Sequence, residues 1–428
     1  MATKIKLKNI FFSVLISTII LVLFELYVKP YSYAGVGKVA DFFNEVKQSQ
    51  TISPERLYVN VWRQAKIEYV NVDMNNQDWQ RWRNRYAGKI KTIDDANVAI
   101  NTMLSSLNDP YTKFLSAGSF AKEKRIIDSK ISGVGVEYNK TGDEVVVDNV
   151  LKNSSAFKQS VLPGDKIVSI DGIAVKNLET KQIQKMMEQP KNNKTVVTIK
   201  RGDQVLKKEL LKTDIPIDTM KYYITEDNIA LINLNSIMGE RAIVDFVDII
   251  KKTNNTKAVI FDLRNNYGGI LANSLQMADL MMSEKKILDI KSRKKETLEV
   301  YADEKTIFKK KPIVILVNRK TASAAEIFTG ALKDSMNALV IGENTFGKNT
   351  IQQVIPMANK TGLFLTTNKY LLPFGEDITK KGITPNFYMR KSKEETTDIV
   401  LEEAKKLLNS STVIVDNSKQ NTLANEHL

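Results

Sequence analysis

The sequence contains no cysteine and a single histidine, His427, which is its second-to-last residue. The absence of cysteine excludes thiol catalysis, disulfides and zinc sites built on thiolates. One histidine in a polar tail cannot supply a Ser-His-Asp triad or a histidine-based metal site. A nucleophilic serine in this chain would therefore need a lysine or a carboxylate as its base. We expect neither a metal nor a cofactor.

The composition otherwise describes an ordinary globular protein with an excess of positive charge. At 428 residues the chain is long enough for two or three domains. The net charge of +14 suggests nucleic-acid binding as one reading. The lysines are spread along the whole chain, however, and no stripe of basic and aromatic residues is present. We expect a solvated lysine-rich surface with some attraction to anionic lipid, and no nucleic-acid partner.

The N-terminus has the pattern of a signal peptide or a signal anchor. Lys4, Lys6 and Lys8 precede an apolar run, Ile10–Phe24, which is extended by Leu26-Tyr27-Val28 and is then just long enough to span a bilayer. The alternatives are a cleaved signal and a buried helix of a soluble domain. We expect an uncleaved membrane helix within residues 1–30, with the body on the non-cytoplasmic side of a bacterial inner membrane. Secretion after cleavage is the second possibility.

The periodicity of apolar residues divides the remaining chain into four parts. Helical spacing extends over residues 31–128 and makes a homodimer possible, and short strands dominate residues 129–213. Residues 214–390 alternate apolar strands with amphipathic helices, which predicts a parallel or mixed sheet flanked by helices. Residues 391–428 form a C-terminal helix and a polar tail. The expected fold class is therefore a multidomain α/β protein.

One stretch of the α/β region places a serine at the start of a helix. The strand Ile313–Val317 leads into a helix that begins near Ser323, and a second strand, Ala338–Ile341, ends in a glycine-containing turn before Lys348. Free backbone N–H groups at a helix start can stabilise an oxyanion. The stretch therefore predicts the nucleophile and the base of a serine peptidase.

The β-rich part contains a glycine loop that resembles the carboxylate-binding loop of a PDZ domain. This loop consists of Gly133, Val134, Gly135 and Val136, and PGDKIVSIDG follows at the later position typical of that family. Consecutive backbone N–H groups in such a loop can bind the C-terminal carboxylate of a peptide that adds a strand to the sheet edge.

Three motifs in the α/β part, DLRNNYGG, TASAAE and GENTFGKNTIQ, resemble those of the C-terminal processing peptidases, also called tail-specific proteases. The resemblance covers about Leu104 to Asn386 and includes MLSSLNDPYTKFL before the PDZ-like module. It implies that Ser323 is the nucleophile, that Lys348 is the base and that Gln352 orients the lysine.

The residues themselves agree with this assignment and add further candidates. An ammonium cannot accept a proton, so Lys348 must be neutral, and burial can lower its pKa from about 10.4 to roughly 7–8. Gly268 or Gly269, together with the amide at Ser323 or Ala324, is the expected oxyanion hole. Supporting roles, such as hydrogen-bond or helix-dipole partners, are expected for four further residues: Arg264, Glu326, Asp334 and Thr345.

The expected function is that of a serine endopeptidase, anchored in the cell envelope, that cleaves proteins near their C-termini. The PDZ-like module would recognise the substrate tail. A catalytically inactive PDZ scaffold at the membrane is the main alternative. Three residues depart from the family pattern: Tyr267 replaces proline, Asn349 replaces glycine and Ala325 replaces the second motif serine.

Overall fold

The computed structural model describes residues 3–6, 50–188, 191–293, 296–390 and 397–410. The predicted membrane helix, Ile10–Phe24, lies outside these ranges. Among the described residues, no helix combines the length and the apolar character needed to cross a bilayer. The chain divides into two compact units, one comprising Glu123–Asp218 and the other the described residues of Met1–Lys122 and Thr219–Leu428.

The larger unit contains a six-stranded mixed sheet in which five consecutive strands run parallel. The antiparallel edge strand β11 pairs with β12. In spatial order the strands are β11 (Met220–Ile224), β12 (Ile229–Leu234), β13 (Ala258–Asp262), β16 (Ile313–Val317), β17 (Leu339–Gly342) and β20 (Phe387–Tyr388). The predicted α/β architecture with a mixed sheet is thereby confirmed.

Helices cover both faces of this sheet, which explains why its central strands are continuous apolar runs. Helices α7 (Ala242–Thr253), α8 (Leu271–Met281) and α9 (Ala324–Met336) pack against one face. Helix α10 (Ile399–Asn409) packs against the other face. All five residues of β16 are buried as a result.

A second sheet in the larger unit was predicted only in part. Its strands are β1 (Thr3–Lys6), β15 (Thr297–Tyr301), β14 (Lys286–Lys291), β19 (Gly362–Leu371) and β18 (Thr350–Pro356), with β2 (Lys113–Leu115) also pairing with β19. The sequence predicts β19, but β14, β15 and β18 mix charged and polar residues with apolar ones. They therefore lack the apolar run that marks the strands of the first sheet.

The N-terminal helices share a core with this second sheet. Helices α1 (Pro54–Glu68), α2 (Gln80–Arg85) and α3 (Ile93–Ser105) bury their apolar faces together with Ile355 and Leu363 of the β18–β19 hairpin. Within the predicted helical region, 31–128, the described residues 50–122 are thus part of the larger unit. Three helices of this length could not enclose a sizeable core on their own, so they complete it against the sheet.

The smaller unit is β-rich and has its own core. Its main sheet has the order β4, β5, β6, β8, β9, with β7 on β6, while β3 pairs with β10. The strands are β3 (Lys130–Gly133), β4 (Val136–Thr141), β5 (Glu144–Val150), β6 (Lys166–Ile170), β7 (Ile173–Ala174), β8 (Lys194–Arg201), β9 (Gln204–Leu211) and β10 (Thr213–Pro216). Two helices, α5 (Ser155–Lys158) and α6 (Thr180–Glu188), belong to this unit, and α4 (Ala117–Ile127) spans its N-terminal boundary at Glu123.

The core of the larger unit predicts a large cost for truncating Phe328. This fully buried ring lies edge-to-face with Phe246 and Phe261, at centroid distances of 5.9 and 5.3 Å. We expect Phe328→Ala to lower the free energy of unfolding by about 3–5 kcal/mol, measured by urea denaturation. Val244→Ala is the control, because Val244 is exposed on α7 and should change stability by no more than about 0.5 kcal/mol. Equal losses in the two variants would contradict this packing.

Candidate active site

Three loops meet at the edge where the parallel strands β13, β16 and β17 end. Carboxyl ends of neighbouring parallel strands share one edge of a sheet, which is where α/β proteins form their sites. The Ala322 N–H donates to the Asn266 carbonyl (3.0 Å), and the Phe346 N–H donates to the Thr321 carbonyl (2.9 Å). These bonds bring the DLRNNYGG, TASAAE and GENTFGKNTIQ segments into direct contact.

Ser323 occupies a strained position immediately before α9. Its φ of 57° and ψ of −120° are uncommon for a residue with a side chain. Such strain persists only where surrounding contacts enforce it, and it clusters at functional sites. Gly268 is one of these contacts, because a Cβ at that position would lie 2.5 Å from the Ala322 oxygen and 3.1 Å from the Ser323 Cβ. Only glycine fits here.

The fully buried carboxylate of Glu326 connects two loops, the serine loop that contains Ser323 and the lysine loop that contains Lys348. One of its oxygens, Oε2, accepts the backbone N–H groups of Ser323 (2.8 Å) and Lys348 (2.9 Å). The other, Oε1, accepts the Gly347 N–H (2.6 Å) and the Thr345 hydroxyl (2.5 Å). Burial raises the pKa of Glu326, and these four donors oppose that rise. Glu326 and Thr345, which were expected to have supporting roles, therefore form hydrogen bonds that connect the two loops.

A buried tyrosine acts on the same two loops from their carbonyl side. The Tyr370 hydroxyl donates to the Lys348 carbonyl (2.8 Å) and lies 3.4 Å from the Ser323 carbonyl. The main chain of both residues is thus fixed at its N–H by Glu326 and at its C=O by Tyr370. The sequence predicted a strand that includes Tyr370 but did not indicate that its side chain belongs to the site.

The side chain of Lys348 lies in a partly buried environment that disfavours its charge. Burial is the largest influence and lowers the pKa of Lys348, assisted by the positive charge of Lys113. The negative charges of Asp109 and Glu326 act in the opposite direction, and the net shift is downward. Lys348 Nζ lies 4.5 Å from the centroid of the Tyr111 ring. Asp109 and Tyr111 belong to the NDPYT segment, which the sequence indicated only as a turn and as part of the family resemblance.

Gln352 lies on β18 and is held through its amide nitrogen. Its Nε2 donates to the Thr350 hydroxyl (3.0 Å) and to the Thr366 hydroxyl (3.1 Å). Among the described residues, Lys348 Nζ has no hydrogen-bond acceptor, so the expected bond to the Gln352 carbonyl oxygen is not formed in this structure.

The candidate oxyanion donors are reduced to two by the hydrogen bonds of their neighbours. The Gly268 N–H already donates to Asn266 Oδ1 (2.8 Å), and the Ser323 N–H donates to Glu326. Within the part of the chain that the structure describes, the N–H groups of Gly269 and Ala324 donate to no protein acceptor. Of the two glycines expected as alternatives, Gly269 is therefore the one with an uncommitted N–H group, and its role as an oxyanion donor stays a prediction.

Two expected supporting residues lie away from this cluster. Arg264 binds Asp262 (2.6 Å) and Asp398 (2.7 Å), and so joins the end of β13 to the start of α10. Asp334 lies eleven residues after Ser323 in the chain, about 16 Å along α9, where it accepts the Phe374 N–H at 3.4 Å. Both residues support the fold around the site and do not contact the serine or the lysine.

A cavity of about 440 Å³ opens beside the lysine loop. It is lined by Arg319, Asn344, Thr345, Phe346 and Tyr388. The Phe346 ring is half exposed there. The cavity has the size and the mixed lining that would accept a side chain of a bound polypeptide.

Comparison with known proteins identifies the family. Residues 228–389 match peptidase family S41, and residues 132–211 match the PDZ domain. The carboxyl-terminal-processing protease of Picosynechococcus is 31% identical over 340 residues, which cover 77% of this chain and 82% of that protein. The chain belongs to the carboxyl-terminal-processing proteases. It is a serine-type peptidase with a PDZ domain.

Two further relatives agree with this protease family. Carboxyl-terminal-processing peptidase 2, chloroplastic, of Arabidopsis thaliana is 29% identical over 78% of this chain and 69% of its own length. The solved photosystem II D1 C-terminal processing protease superposes with a TM-score of 0.55 at 26% identity, over 85% of this chain and 99% of that one.

The departures of this protease from the family pattern leave the site intact. Tyr267 projects into solvent with 67% of its surface exposed, so it does not block the buried contacts below it. The Asn349 side chain is buried and donates to Asp377 (3.0 Å), while its carbonyl accepts the Tyr370 N–H (2.9 Å). Ala325 is buried within α9.

The PDZ loop of the protease has the glycine conformation that the motif predicts. Gly135 has a φ of +87°, and a Cβ there would lie 2.0 Å from the Ser154 Cβ. Val134 is buried, and its carbonyl accepts the Ala156 N–H at 3.0 Å. Carboxylate binding by Gly133–Val136 stays a prediction.

The joining role of Glu326 predicts that Glu326→Gln is severely impaired. An amide nitrogen in place of one carboxylate oxygen would face backbone N–H donors, so at least one buried donor would lose its acceptor, at about 1–3 kcal/mol. We expect a loss of stability by urea denaturation and a fall in kcat of at least about tenfold. The control Glu240→Gln alters an exposed carboxylate and should change neither. Wild-type kcat in Glu326→Gln would contradict the role of this carboxylate.

Proposed function

We propose that this protease hydrolyses peptide bonds with Ser323 as nucleophile and Lys348 as general base. The neutral lysine amine accepts the Ser323 hydroxyl proton while Oγ attacks the substrate carbonyl carbon. The resulting ammonium donates this proton to the leaving amine, and an acyl-enzyme remains. Lys348 then accepts a proton from the water that attacks the ester, and returns this proton to Ser323 Oγ as the ester bond breaks and the acid leaves. The observation that carries this proposal is the shared carboxylate of Glu326, which holds the backbone of both residues in one cluster.

The proposed oxyanion hole consists of the N–H groups of Gly269 and Ala324. Both follow directly on residues whose own amides are already bonded, and Gly268 packs against Ser323. Fixed donors in a partly dry site stabilise the developing negative charge without reorganising. The loss of one such donor typically costs about 10²–10³ in rate.

The proposed substrates are proteins with accessible C-terminal tails. The PDZ domain would bind the terminal carboxylate at Gly133–Val136 while the polypeptide adds a strand to the sheet edge. Exposed aromatic rings on two active-site loops, Tyr267 and Phe346, offer apolar contacts to an extended chain. Gln352 would orient the lysine. We further propose that the protease acts outside the cytoplasm, held by its N-terminal segment; the possible homodimer likewise stays a prediction.

Paired substitutions separate this proposal from an inactive PDZ scaffold. Ser323→Ala and Lys348→Ala should each lower kcat by about 10⁴-fold or more, because nucleophile and base act as one unit. Cleavage of an unfolded protein, followed by mass spectrometry of its C-terminal fragments, measures the effect. Ser119→Ala and Lys360→Ala, both at exposed positions, are the matched controls. A wild-type protein that binds tail peptides but leaves them intact would instead be a scaffold.

The charges around Lys348 predict the pH dependence. Because the base must be neutral, kcat should rise with pH through a midpoint below the ordinary lysine value of about 10.4. Asp109 favours the ammonium form, so Asp109→Asn should move this midpoint to lower pH. Asp94→Asn, an exposed change on α3, should leave it in place. A flat profile from pH 6 to 9, or an upward shift in Asp109→Asn, would count against lysine as the base.

A further inference from the structure

Gln352 and Thr366 face each other because of a β-bulge. Along the β18–β19 ladder, Ile351 pairs with Asn368, but Gln352 pairs with Thr366, so Thr367 is the extra residue on β19. A bulge re-aims the side chains next to it and is common beside active sites. Here it puts the Gln352 amide directly beside the Thr366 hydroxyl, at 3.1 Å.

Both N–H donors of the Gln352 amide are engaged by hydroxyl groups, those of Thr350 and Thr366. A primary amide has two donors on its nitrogen and an acceptor only at its oxygen. The side-chain carbonyl oxygen is therefore the group of this amide that is left to accept a hydrogen bond from Lys348. A hydroxyl can also donate, however, so these two contacts alone would permit the amide to turn over.

A carboxylate two steps away sets the direction of these hydrogen bonds. The Thr112 hydroxyl donates its proton to Asp109 Oδ2 (2.7 Å) and accepts the Thr366 N–H (3.1 Å). Its oxygen lies 3.4 Å from the Thr366 hydroxyl oxygen. Since a carboxylate only accepts and the single Thr112 hydroxyl proton goes to Asp109 in the shorter contact, any hydrogen bond across the longer contact has Thr366 as its donor. Its proton thus points towards Thr112, and its oxygen is left to accept from Gln352.

We infer that Asp109, Thr112 and Thr366, together with Thr350, are positioning residues that fix the Gln352 amide with its oxygen available to Lys348. Asp109 is the acceptor that gives the chain of hydrogen bonds its direction. This inference rests on the proposed function, because it assigns a purpose to Gln352 in that mechanism. The inference explains why the NDPYT segment packs into this site, although Thr112 and Thr366 are 254 residues apart in the sequence.

Interrupting the series of hydrogen bonds at Thr112 tests the inference, since Thr112 itself forms no hydrogen bond with Gln352 or Lys348. In Thr112→Val the Thr366 hydroxyl can donate to the Gln352 oxygen, so the amide turns its nitrogen towards Lys348. The amine lone pair is then occupied, and we expect kcat to fall by about tenfold to a hundredfold with KM unchanged. The acidic limb of the kcat–pH profile should move to lower pH, because an N–H donor disfavours the ammonium form.

The measurement uses the full chain and a quenched-fluorescence peptide with an apolar C-terminal tail. Thr112→Ser should restore both kcat and the acidic limb. The matched control is Thr361→Val. This change removes a buried hydroxyl that donates to the Ala358 carbonyl in the β18–β19 hairpin and takes no part in the hydrogen bonds that connect Asp109 to Gln352. This control should leave the acidic limb of the kcat–pH profile in place. If Thr112→Val does not fold, Thr350→Val, at a half-buried position, removes one of the two acceptors of the Gln352 amide nitrogen and should likewise lower kcat and move the limb.

Two results would overturn the inference: an unchanged kcat and acidic limb in Thr112→Val, or a lower kcat with an unmoved limb, which indicates a structural role alone. Failure of the proposed function is distinguishable. Cleavage that survives Ser323→Ala or Lys348→Ala would refute the mechanism, whereas loss in those variants with a wild-type profile in Thr112→Val refutes only the role of the threonines.

Discussion

The site depends on one buried carboxylate that accepts hydrogen bonds from two loops at once. A carboxylate removed from water is unfavourable by several kcal/mol unless hydrogen bonds compensate it, and Glu326 receives four. Those donors are the backbone N–H groups of Ser323, Gly347 and Lys348 and the hydroxyl of Thr345. Moving either loop would leave this buried charge partly unsatisfied. This constraint therefore fixes the backbone positions of Ser323 and Lys348, independently of any contact between their side chains.

The environment of Lys348 balances two opposing demands. Its amine must lose its proton to act as a base, and burial provides for this by lowering the pKa. The same pocket contains the negative charges of Asp109 and Glu326 and the ring of Tyr111, all of which favour the ammonium form. Burial exceeds these effects, so the site keeps its organising carboxylates while the Lys348 pKa is lowered, as the proposed base requires.

Much of the architecture follows from the sequence because the parallel strands are buried on both faces. Strands such as Ile229–Leu234 and Ile313–Val317 read as apolar runs and were predicted with the bounds that they have in the structure. Apart from β19, the second sheet escaped prediction because its strands mix polar and apolar residues without a clear period. The shared core between the N-terminal helices and the β18–β19 hairpin depends on pairing across more than 200 residues of sequence, as in the contact of Thr112 with Thr366.

The site was predictable where a residue type is needed for chemistry, and unpredictable where a contact depends on rotamers. Ser323, Lys348 and Glu326 were marked by their motifs and by the lack of histidine and cysteine. Tyr370 reaches the two carbonyl groups only because β19 passes beneath them, which no local pattern reveals. The choice between Gly268 and Gly269 was hidden for a similar reason, since the Gly268 N–H donates to the side chain of Asn266, two positions earlier.

The most direct test of the central claim is the protonation state of Lys348 itself. Selective ¹³C labelling of lysine and an NMR titration of the side-chain carbons would measure it, with the resonance assigned by its loss in Lys348→Arg. A midpoint clearly below those of the other lysines is the expected result, because the buried site disfavours the charged amine. Titration of Lys348 together with the surface lysines, near pH 10.4 or above, would contradict the assignment of this residue as a neutral base held in place by Glu326.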